Sequence, residues 1–337
     1  MCKSEKKSRL EEEDRLSNLT DDVLCHVLSF LDTQSACKTS TLSKSWHHKS
    51  LWALLPHVSF SYFSYSFRQN PKSHFQSFNR FINRVLNSYQ PLQQQNQGNK
   101  RFSLNYHSDS SFEPNQFNKW IRGALERNAE EIEVNVDLTM VVQVPVSVFS
   151  SVTLTTLKLQ GEATLYSLYF PPCLCSLKVL SLKMRQSDAT ELVSTLLSSC
   201  PVLEEFYFDG FCGTMRITAA PKLKKVVVNN ESFMWSTELF EIDAPSLEYF
   251  SLKDMDPERY VVKNLDNVME AEFSIMLDMR KSSTGLFNLL HGLSSVKSLH
   301  VNISFEGSLP EISTDDVSYG VKHNLNYMNV EFSIIVT

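Results

Sequence analysis

Apolar residues recur along most of the chain in one short pattern, in which the first, fourth and sixth positions are apolar. The fourth and sixth positions lie on the same side of an extended chain, so each copy predicts a β-strand that buries one face. Seven copies are clear, and they begin at Leu154, Leu177, Leu203, Leu223, Leu247, Val268 and Val296. Successive starts are 23, 26, 20, 24, 21 and 28 residues apart. This spacing predicts a repeat protein with one strand in each unit.

The spacing falls within the range of about 20–29 residues that is typical of leucine-rich repeats. In three copies a proline stands two positions before the first apolar residue, at Pro201, Pro221 and Pro245. Proline has no N–H to donate and is tolerated at the first residue of a strand, so these prolines are predicted to mark strand starts.

The segments between the strands complete the predicted unit. Residues 188–199 and 286–293 carry apolar stripes at helical spacing, and weaker helix–strand alternation extends back to residue 57. We therefore predict an irregular leucine-rich-repeat solenoid of the α/β class over 57–337, with its clearest repeats at 154–303. An ordinary α/β domain is the alternative.

The residue between the fourth and sixth positions of each copy points to the opposite face of its strand. Repeat proteins use such exposed surfaces to bind other proteins. The candidate target-binding residues are Lys158, Ser181, Tyr207, Val227, Ser251, Glu272 and His300. Because these side chains share neither charge nor chemistry, they indicate no class of target.

Residues 14–55 have a different pattern and predict a small all-helical module. Apolar residues from Val23 to Leu31 fall at i, i+1, i+4, i+5 and i+8, which forms a wide apolar helical face. Thr20 is placed to cap this helix, and the two aspartates that follow it complement the positive end of the helix dipole. About 40 residues bury too little surface to be stable alone, so the module must dock on the solenoid or on another chain.

Composition narrows the class of protein further. Only 9 of 337 residues are glycine, which leaves little material for phosphate-binding loops. A net charge of −6 argues against a nucleic-acid partner, and no apolar run approaches the roughly 18 residues of a membrane span. Residues 1–13 lack the apolar core of a secretory signal and are predicted to be a disordered tail.

The seven cysteines are scattered, and none belongs to a Cys-x-x-Cys pair. Cys173 and Cys175 form a Cys-x-Cys sequence without a second pair at zinc spacing, so no metal site is predicted. Reduced and mostly buried thiols in a cytoplasmic and/or nuclear protein are the simplest interpretation.

An enzyme must bring a catalytic constellation together, and the sequence offers none. The Gly-x-Ser-x-Gly, His-Glu-x-x-His and phosphate-loop motifs are absent. His291 and His300 flank a repeat strand, and Cys25 lies beside the apolar face of the first helix, so structural roles are favoured for all three. We predict no catalytic residue and no cofactor.

The N-terminal module also carries the motifs of a known family. They are Asp14-Arg15-Leu16-Ser17-x-Leu19, Asp22-x-Leu24, Leu28-Ser29-Phe30-Leu31, Leu42-Ser43-Lys44-x-Trp46 and Leu51-Trp52. The chain resembles the plant F-box/leucine-rich-repeat proteins of the FBD type. Cys-Pro-x-Leu-Glu at 200–204 and Ala-Pro-x-Leu at 220–223 and 244–247 have the style of the same family. The resemblance covers nearly the whole chain.

The resemblance implies a non-catalytic receptor subunit of an SCF-type ubiquitin ligase. In that family the F-box packs on a Skp-type adaptor and through it on a cullin, while the repeats hold the protein to be ubiquitinated. The residues implied to bind the adaptor are Leu16, Leu19, Val23, Leu24, Val27, Leu28 and Leu31. Trp46 is expected in the core of the module.

The sequence departs from the family in two places. Leu19-Thr20 stands where the family usually has Leu-Pro, and Lys44-Ser45-Trp46 stands where it has Lys-Arg-Trp. Losing a rigid helix start predicts weaker adaptor binding, so the alternative is a leucine-rich-repeat scaffold with a degenerate F-box that acts outside the ligase. Many members also carry a further C-terminal domain, so the strand-like end at 330–337 is expected to mark a short or truncated member.

Overall fold

A computed structural model of the chain describes residue 16 and residues 18–64, 71–88, 100–108, 114–137, 141–164, 173–184, 190–218, 220–230, 238–255, 260–278, 284–293, 295–306 and 327–335. The predicted tail at 1–13 lies outside the described residues. A small helical module comes first, and a strand-rich repeat region with helices follows it. The predicted fold class is therefore confirmed.

The N-terminal module packs short helices around a small apolar core. Its elements are α1 (Asp21–Leu28), α2 (Thr33–Lys38), a 3-10 turn (Thr39–Thr41), α3 (Lys44–Lys49) and a second 3-10 turn (Leu51–Leu54). The buried core side chains are Leu24, Leu28, Ala36, Trp46, Leu51 and Leu55. Trp46 lies in this core, as the sequence predicts.

Two of the three module helices have side-chain caps. A carboxylate oxygen of Asp32 accepts from the N–H of Ser35 at 2.9 Å, and the hydroxyl of Ser43 accepts from the N–H of Trp46 at 3.3 Å. Each bond satisfies one amide that the first helical turn leaves without a partner. Thr20 occupies the N-cap position of α1, but its side chain makes no capping hydrogen bond. The predicted capping role of Thr20 is therefore wrong.

The repeat region is built on one parallel sheet. Its described strands are, in spatial order, β1 (His57–Ser64), β2 (Arg101–Ser108), β3 (Glu131–Val136), β5 (Thr156–Gln160), β7 (Val179–Met184), β8 (Glu205–Gly210), β10 (Lys225–Asn230), β12 (Tyr249–Met255), β14 (Glu270–Asp278), β15 (Ser298–Glu306) and β16 (Tyr327–Ile335). Spatial order follows chain order along the whole sheet, which is what a stack of repeats produces.

One face of the sheet and the turns that precede its strands form a continuous core. All three apolar positions of the seven predicted copies are buried. Leu157 is the cross-strand partner of Leu180, Leu180 of Phe206, and Phe206 of Val226. Each repeat therefore buries its strand against its neighbours, and no single compact core is needed.

The repeat prolines lie in turns that precede the strands. The N–H of Leu203 donates to the carbonyl of Cys200 at 3.2 Å, so Pro201 occupies the second position of a four-residue turn. Equivalent bonds close the turns at Pro221 and Pro245. The fixed φ of proline suits this position. The predicted placement at the first strand residue is corrected, because each strand begins after the turn.

Helices and two small parallel sheets lie in the segments between the strands. The helices are α4 (Pro71–Ser88), α5 (Pro114–Leu125), α6 (Thr190–Ser198) and α7 (Thr284–His291), and a 3-10 turn spans Val146–Ser150. The small sheets pair β4 (Val141–Gln143) with β6 (Glu162–Thr164), and β11 (Leu239–Asp243) with β9 (Thr214–Ile217) and β13 (Tyr260–Lys263). The helix predicted at 188–199 is confirmed over the described residues as α6, and the one predicted at 286–293 is confirmed as α7, which begins two residues earlier and ends at His291.

Two features of these connecting segments were not predicted from the sequence. One is β9, in which Met215 and Ile217 alternate into the core. The expectation of reduced and mostly buried thiols fails at Cys173 and Cys175, which are exposed and joined by a disulfide bond.

The helical module docks on the first strand of the solenoid. The hydroxyl of Thr33 is buried and accepts from the N–H of Ser59 at 2.8 Å. β1 lies at the edge of the sheet, so this amide has no neighbouring strand to pair with. Trp52 packs against both the module core and the solenoid core. The sequence predicts that the module docks either on the solenoid or on another chain. The structure shows it docked on the solenoid.

Candidate functional site

The helical module concentrates exposed apolar side chains. Twelve large apolar residues are exposed among the described residues, and eight of them belong to the module. The eight are Leu16, Leu19, Val23, Val27, Phe30, Leu31, Leu42 and Leu54. We call this set the module patch. Exposed apolar groups gathered on one small module indicate a surface that another protein covers.

Helix α1 explains how this patch forms. Residues four apart lie on the same side of a helix, so Val23 and Val27 share one face of α1, while Leu24 and Leu28 share the adjacent face. Val23 and Val27 are 45% and 43% exposed, whereas Leu24 and Leu28 are each 1% exposed. The wide apolar face predicted from the sequence is therefore divided into an outer and an inner half.

Two of the seven predicted adaptor-binding residues need correction. Leu24 and Leu28 pack inside the module with Ala36, Trp46 and Leu51, so they are not available to another chain. The other five, which are Leu16, Leu19, Val23, Val27 and Leu31, are exposed. Exposure leaves these five accessible, and adaptor binding by them stays a prediction.

Three members of the module patch were missed by the sequence prediction. Phe30 is 77% exposed and lies just beyond α1, where its ring meets the ring of His26 edge-on at 5.1 Å. Leu42 and Leu54 lie in the segments before α3 and after it. Their isolated positions carry no periodic signal, so only the folded arrangement adds them to the patch.

Charge around the patch is modest. The ammonium of Lys49 contacts Asp21 at 2.6 Å and links α3 to the start of α1, but both groups are solvent-exposed. Such surface pairs contribute little to stability. Burial, followed by the nearby carboxylates of Asp21 and Asp22, raises the pKa of the Cys25 thiol. A thiol that stays protonated is a poor nucleophile, which supports its structural interpretation.

The second candidate surface is the outward face of the large sheet. The seven predicted positions form one row, in which Lys158 is the cross-strand partner of Ser181 and Ser181 that of Tyr207. The row continues through Val227, Ser251, Glu272 and His300 by direct cross-strand pairing. We call this set the outer row. The structure brings all seven residues together, while target binding by them stays a prediction.

A lysine held between two tyrosines lies beside the outer row. The ammonium of Lys225 is 5.0 Å from the ring centre of Tyr249 and 5.5 Å from that of Tyr207. A cation this close to an aromatic face is attracted by the ring. The hydroxyl of Tyr207 donates to Glu205 at 2.6 Å. Lys225 and Tyr249 were missed, although the same strand alternation places them on this face.

Both tyrosine hydroxyls stay protonated over the physiological pH range. Burial, followed by the hydrogen bond to Glu205, raises the pKa of Tyr207 to about 12. Burial, followed by the hydrogen bond to Glu272, raises the pKa of Tyr249 to about 12. Each phenol is therefore a fixed donor to a carboxylate, and the two rings are held in place beside Lys225.

The outer row lines two shallow hollows. One, of about 370 Å³, is bordered by Lys158, Ser181, Tyr207 and Val227. The other, of about 410 Å³, is bordered by Ser251, Glu272 and His300. Ion pairs run alongside, with Lys183 contacting Asp209 at 2.6 Å and Arg101 contacting Glu133 at 2.8 Å. The face is mixed in charge, so it favours a protein partner over a polyanion.

Among the described residues, no group of three or more His, Cys, Asp or Glu side chains could hold a metal ion. No helix in the described ranges is long and apolar enough to cross a membrane.

These surfaces define a class of protein, in which a helical docking module is joined to a leucine-rich-repeat solenoid. Residues 16–54 match the family model of the F-box domain. Residues 117–267 match the model described as FBD-associated F-box protein At5g56370, LRR repeats.

Curated relatives from Arabidopsis thaliana match most of the chain. F-box protein At3g58860 is 29% identical over 308 residues, which cover 88% of this chain and 64% of the relative. F-box/LRR-repeat protein At3g59190 is 29% identical over 301 residues, which cover 84% of this chain and 74% of the relative. F-box/LRR-repeat protein 13 is 29% identical over 313 residues, covering 86% and 65%. The chain thus spans about two thirds of the length of these relatives.

The chain is similar to plant F-box/leucine-rich-repeat proteins over most of its length, with one family-model match to the F-box domain and one to the repeats. F-box/leucine-rich-repeat proteins are generally non-catalytic adaptors, and neither matching model describes a catalytic domain. F-box domains generally bind Skp-type adaptors.

Proposed function

We propose that this protein is the substrate-recognition subunit of an SCF-type ubiquitin ligase. Its F-box docks on a Skp-type adaptor, which carries a cullin, and its repeats bind the protein to be ubiquitinated. The observation that carries this proposal is the module patch, which gathers eight of the twelve large apolar residues that are exposed among those described, on a match to the F-box domain. The protein supplies proximity and orientation, and other subunits perform the chemistry.

Burial of the module patch supplies the affinity for the adaptor. Fully burying a Leu, Val or Phe side chain is worth about 1.5–3 kcal/mol, and these side chains are partly covered already. A contribution of about 1 kcal/mol from each of several residues has to exceed the entropic cost of association. The largest side chains therefore contribute most to adaptor affinity, and Phe30 is the most exposed member of the module patch.

The adaptor-binding half of the proposal is tested with the double variant Val23→Asp/Val27→Asp. Both valines are exposed, so the variant is expected to fold and to lose binding to a purified Skp-type adaptor in calorimetry. Val152→Asp is the matched control, because Val152 is an exposed valine in the solenoid, away from the module. Adaptor binding by the folded double variant at the strength of the control would contradict the proposal.

In the target-binding half of the proposal, the target contacts the outer row, which includes Tyr207, together with Lys225 and Tyr249. Tyrosines held rigidly in a half-exposed position are typical of residues that dominate the energy of an interface. We expect Tyr207→Ala/Tyr249→Ala to lose partners that the wild-type chain retains in co-immunoprecipitation, while adaptor binding is unchanged. The F-box double variant should show the reverse pattern, with targets retained and the adaptor lost.

The alternative is a repeat scaffold whose F-box no longer recruits the adaptor. The observation that favours it is the start of α1, where Thr20 replaces the usual proline and its side chain makes no capping bond. Co-purification of adaptor and cullin with the full chain separates the two functions. A chain that retains its other partners without adaptor or cullin supports the scaffold.

A further inference from the structure

Cys173 and Cys175 differ from the other described cysteines in exposure and in bonding. Both are exposed and they are bonded to each other. The remaining described cysteines form no disulfide and are half-buried or buried: Cys25, Cys37, Cys200 and Cys212. Burial raises the pKa of Cys37 and of Cys200 to about 12, which keeps those thiols protonated and unreactive.

The backbone fixes this pair by contacts that do not involve sulfur. The N–H of Cys173 donates to the carbonyl of Phe149 at 2.8 Å, and the N–H of Leu174 donates to that of Ser199 at 3.2 Å. Leu174, between the two cysteines, is fully buried in the solenoid core. With Leu174 anchored inside, the cysteines on either side of it stay at the surface.

The distance between the two cysteines suits a bond that opens and closes in place. Their Cα atoms are 5.5 Å apart, within the usual range for disulfides of about 4.4–6.8 Å. Because hydrogen bonds and the burial of Leu174 hold the backbone, the reduced and oxidised forms need no rearrangement of the repeat. The next turn is also fixed, since the hydroxyl of Ser176 donates to the carbonyl of Val152 at 2.7 Å.

We infer that Cys173 and Cys175 form a reversible dithiol–disulfide site that exchanges with small disulfides such as glutathione disulfide. One thiolate attacks the glutathione disulfide, forms a mixed disulfide and releases one glutathione thiolate. The second thiolate attacks the protein sulfur of that mixed disulfide and releases the other glutathione. The protein loses two electrons and two protons, and one glutathione disulfide becomes two glutathione thiols.

The experiment measures thiols on the full chain and requires neither adaptor nor target, so its result is independent of the proposed ligase function. Reduced protein is incubated with glutathione disulfide, quenched in acid, alkylated under denaturing conditions and mapped by peptide mass. We expect the peptide with Cys173 and Cys175 to lose the mass of two hydrogen atoms and to carry no glutathione. Dithiothreitol should restore both alkylatable thiols.

The variant Cys173→Ser identifies the second step. It has no resolving thiol, so we expect Cys175 to accumulate bound glutathione where the wild-type chain closes its own bond. Cys25→Ser is the control and should close the bond as the wild type does. If the variant fails to fold, the wild-type peptide map still decides the proposal.

Three results would overturn the inference. Glutathione could remain on Cys173 or Cys175 of the wild type, both thiols could stay free while a reference dithiol peptide is oxidised, or the bond could join two chains on a non-reducing gel. Each would show that the pair is not a closing site within one chain.

Discussion

The module and the solenoid treat apolar side chains in opposite ways. The module buries six core residues and exposes eight large apolar ones. The solenoid has a core that is continuous from Val58 to Ile303, and only four of its large apolar residues are exposed among those described. Among the described residues, the small module therefore carries most of the exposed large apolar side chains, although the solenoid carries most of the apolar residues.

This difference follows from how each region can bury a side chain. A repeat buries its strand against the repeats on either side, so the inward-facing apolar positions of a long chain find partners. A module of three short helices has one small interior and cannot cover both halves of α1. Its outer half stays exposed in the folded chain, so under the proposed function adaptor docking and stability are separable properties.

The largest expected effect comes from breaking the core of the solenoid. Phe250 is fully buried, and its ring centre is 5.4 Å from that of Phe273 and 6.1 Å from that of Phe240. We expect Phe250→Ala to lower the free energy of unfolding by about 3–5 kcal/mol in chemical denaturation. Ser251→Ala is the control on the opposite face of the same strand, and a comparable loss there would contradict the two-faced description of the sheet.

A smaller effect is expected inside the module. We expect Leu28→Ala to cost about 2 kcal/mol, near the lower limit for a buried leucine, because a small helical core can partly close around the cavity. Val27→Ala, one residue away on the exposed half of α1, should stay within about 0.5 kcal/mol of the wild type. Thermal unfolding by circular dichroism compares the two variants. Equal losses would mean that α1 has no distinct inner and outer halves.

Much of the fold was predictable because it repeats. A strand that buries one face gives a period-2 signal, and its recurrence every 20–28 residues identified all seven copies and the outer row. The small strand β9 was missed, because Met215 and Ile217 form too short an alternation to stand out in residues 210–219. Short strands form when the neighbouring repeats offer edges to pair with, and a single sequence does not show those edges.

The binding surfaces were only partly predictable. Periodicity places Val23, Leu24, Val27 and Leu28 on one wide face, but it cannot say which side the rest of the module will cover. The inner half of α1 packs with Ala36, Trp46 and Leu51, which are far from it in the chain. Likewise, spacing alone does not reveal that Cys173 and Cys175 are bonded or that Leu174 between them is buried.

The contact between the two regions should contribute less than either core. Replacing the buried Thr33 by Val keeps its shape and removes the hydroxyl that accepts from the N–H of Ser59. We expect a loss of about 1–2 kcal/mol, since the amide at the sheet edge loses its partner. Amide hydrogen exchange at Ser59 should become faster. Unchanged exchange would show that this bond does not join the module to the solenoid.

The smallest effect on stability is expected at the outward face, where Tyr207 and Tyr249 are held by different carboxylates. Glu205→Gln should lower the pKa of Tyr207 from about 12 and leave that of Tyr249 unchanged. Glu272→Gln should lower the pKa of Tyr249 and leave that of Tyr207 unchanged. Both pKa values should stay above 10, because burial is the larger cause of each shift. Ultraviolet titration of the phenols measures both.

The sign of the pH dependence follows from the direction of these shifts. A phenol whose pKa is raised in the folded state contributes stability that is fully present below about pH 10 and is lost as the pH rises through about 12. The hydrogen bond is therefore present at neutral pH, but the amide oxygen of Gln can still accept from the phenol, so either carboxylate variant should lose no more than about 1 kcal/mol. A large loss of unfolding free energy at neutral pH would mean that the carboxylates stabilise the solenoid itself. Substitutions on the outward face would then be as destabilising as substitutions in the core, which would contradict the contrast between the two.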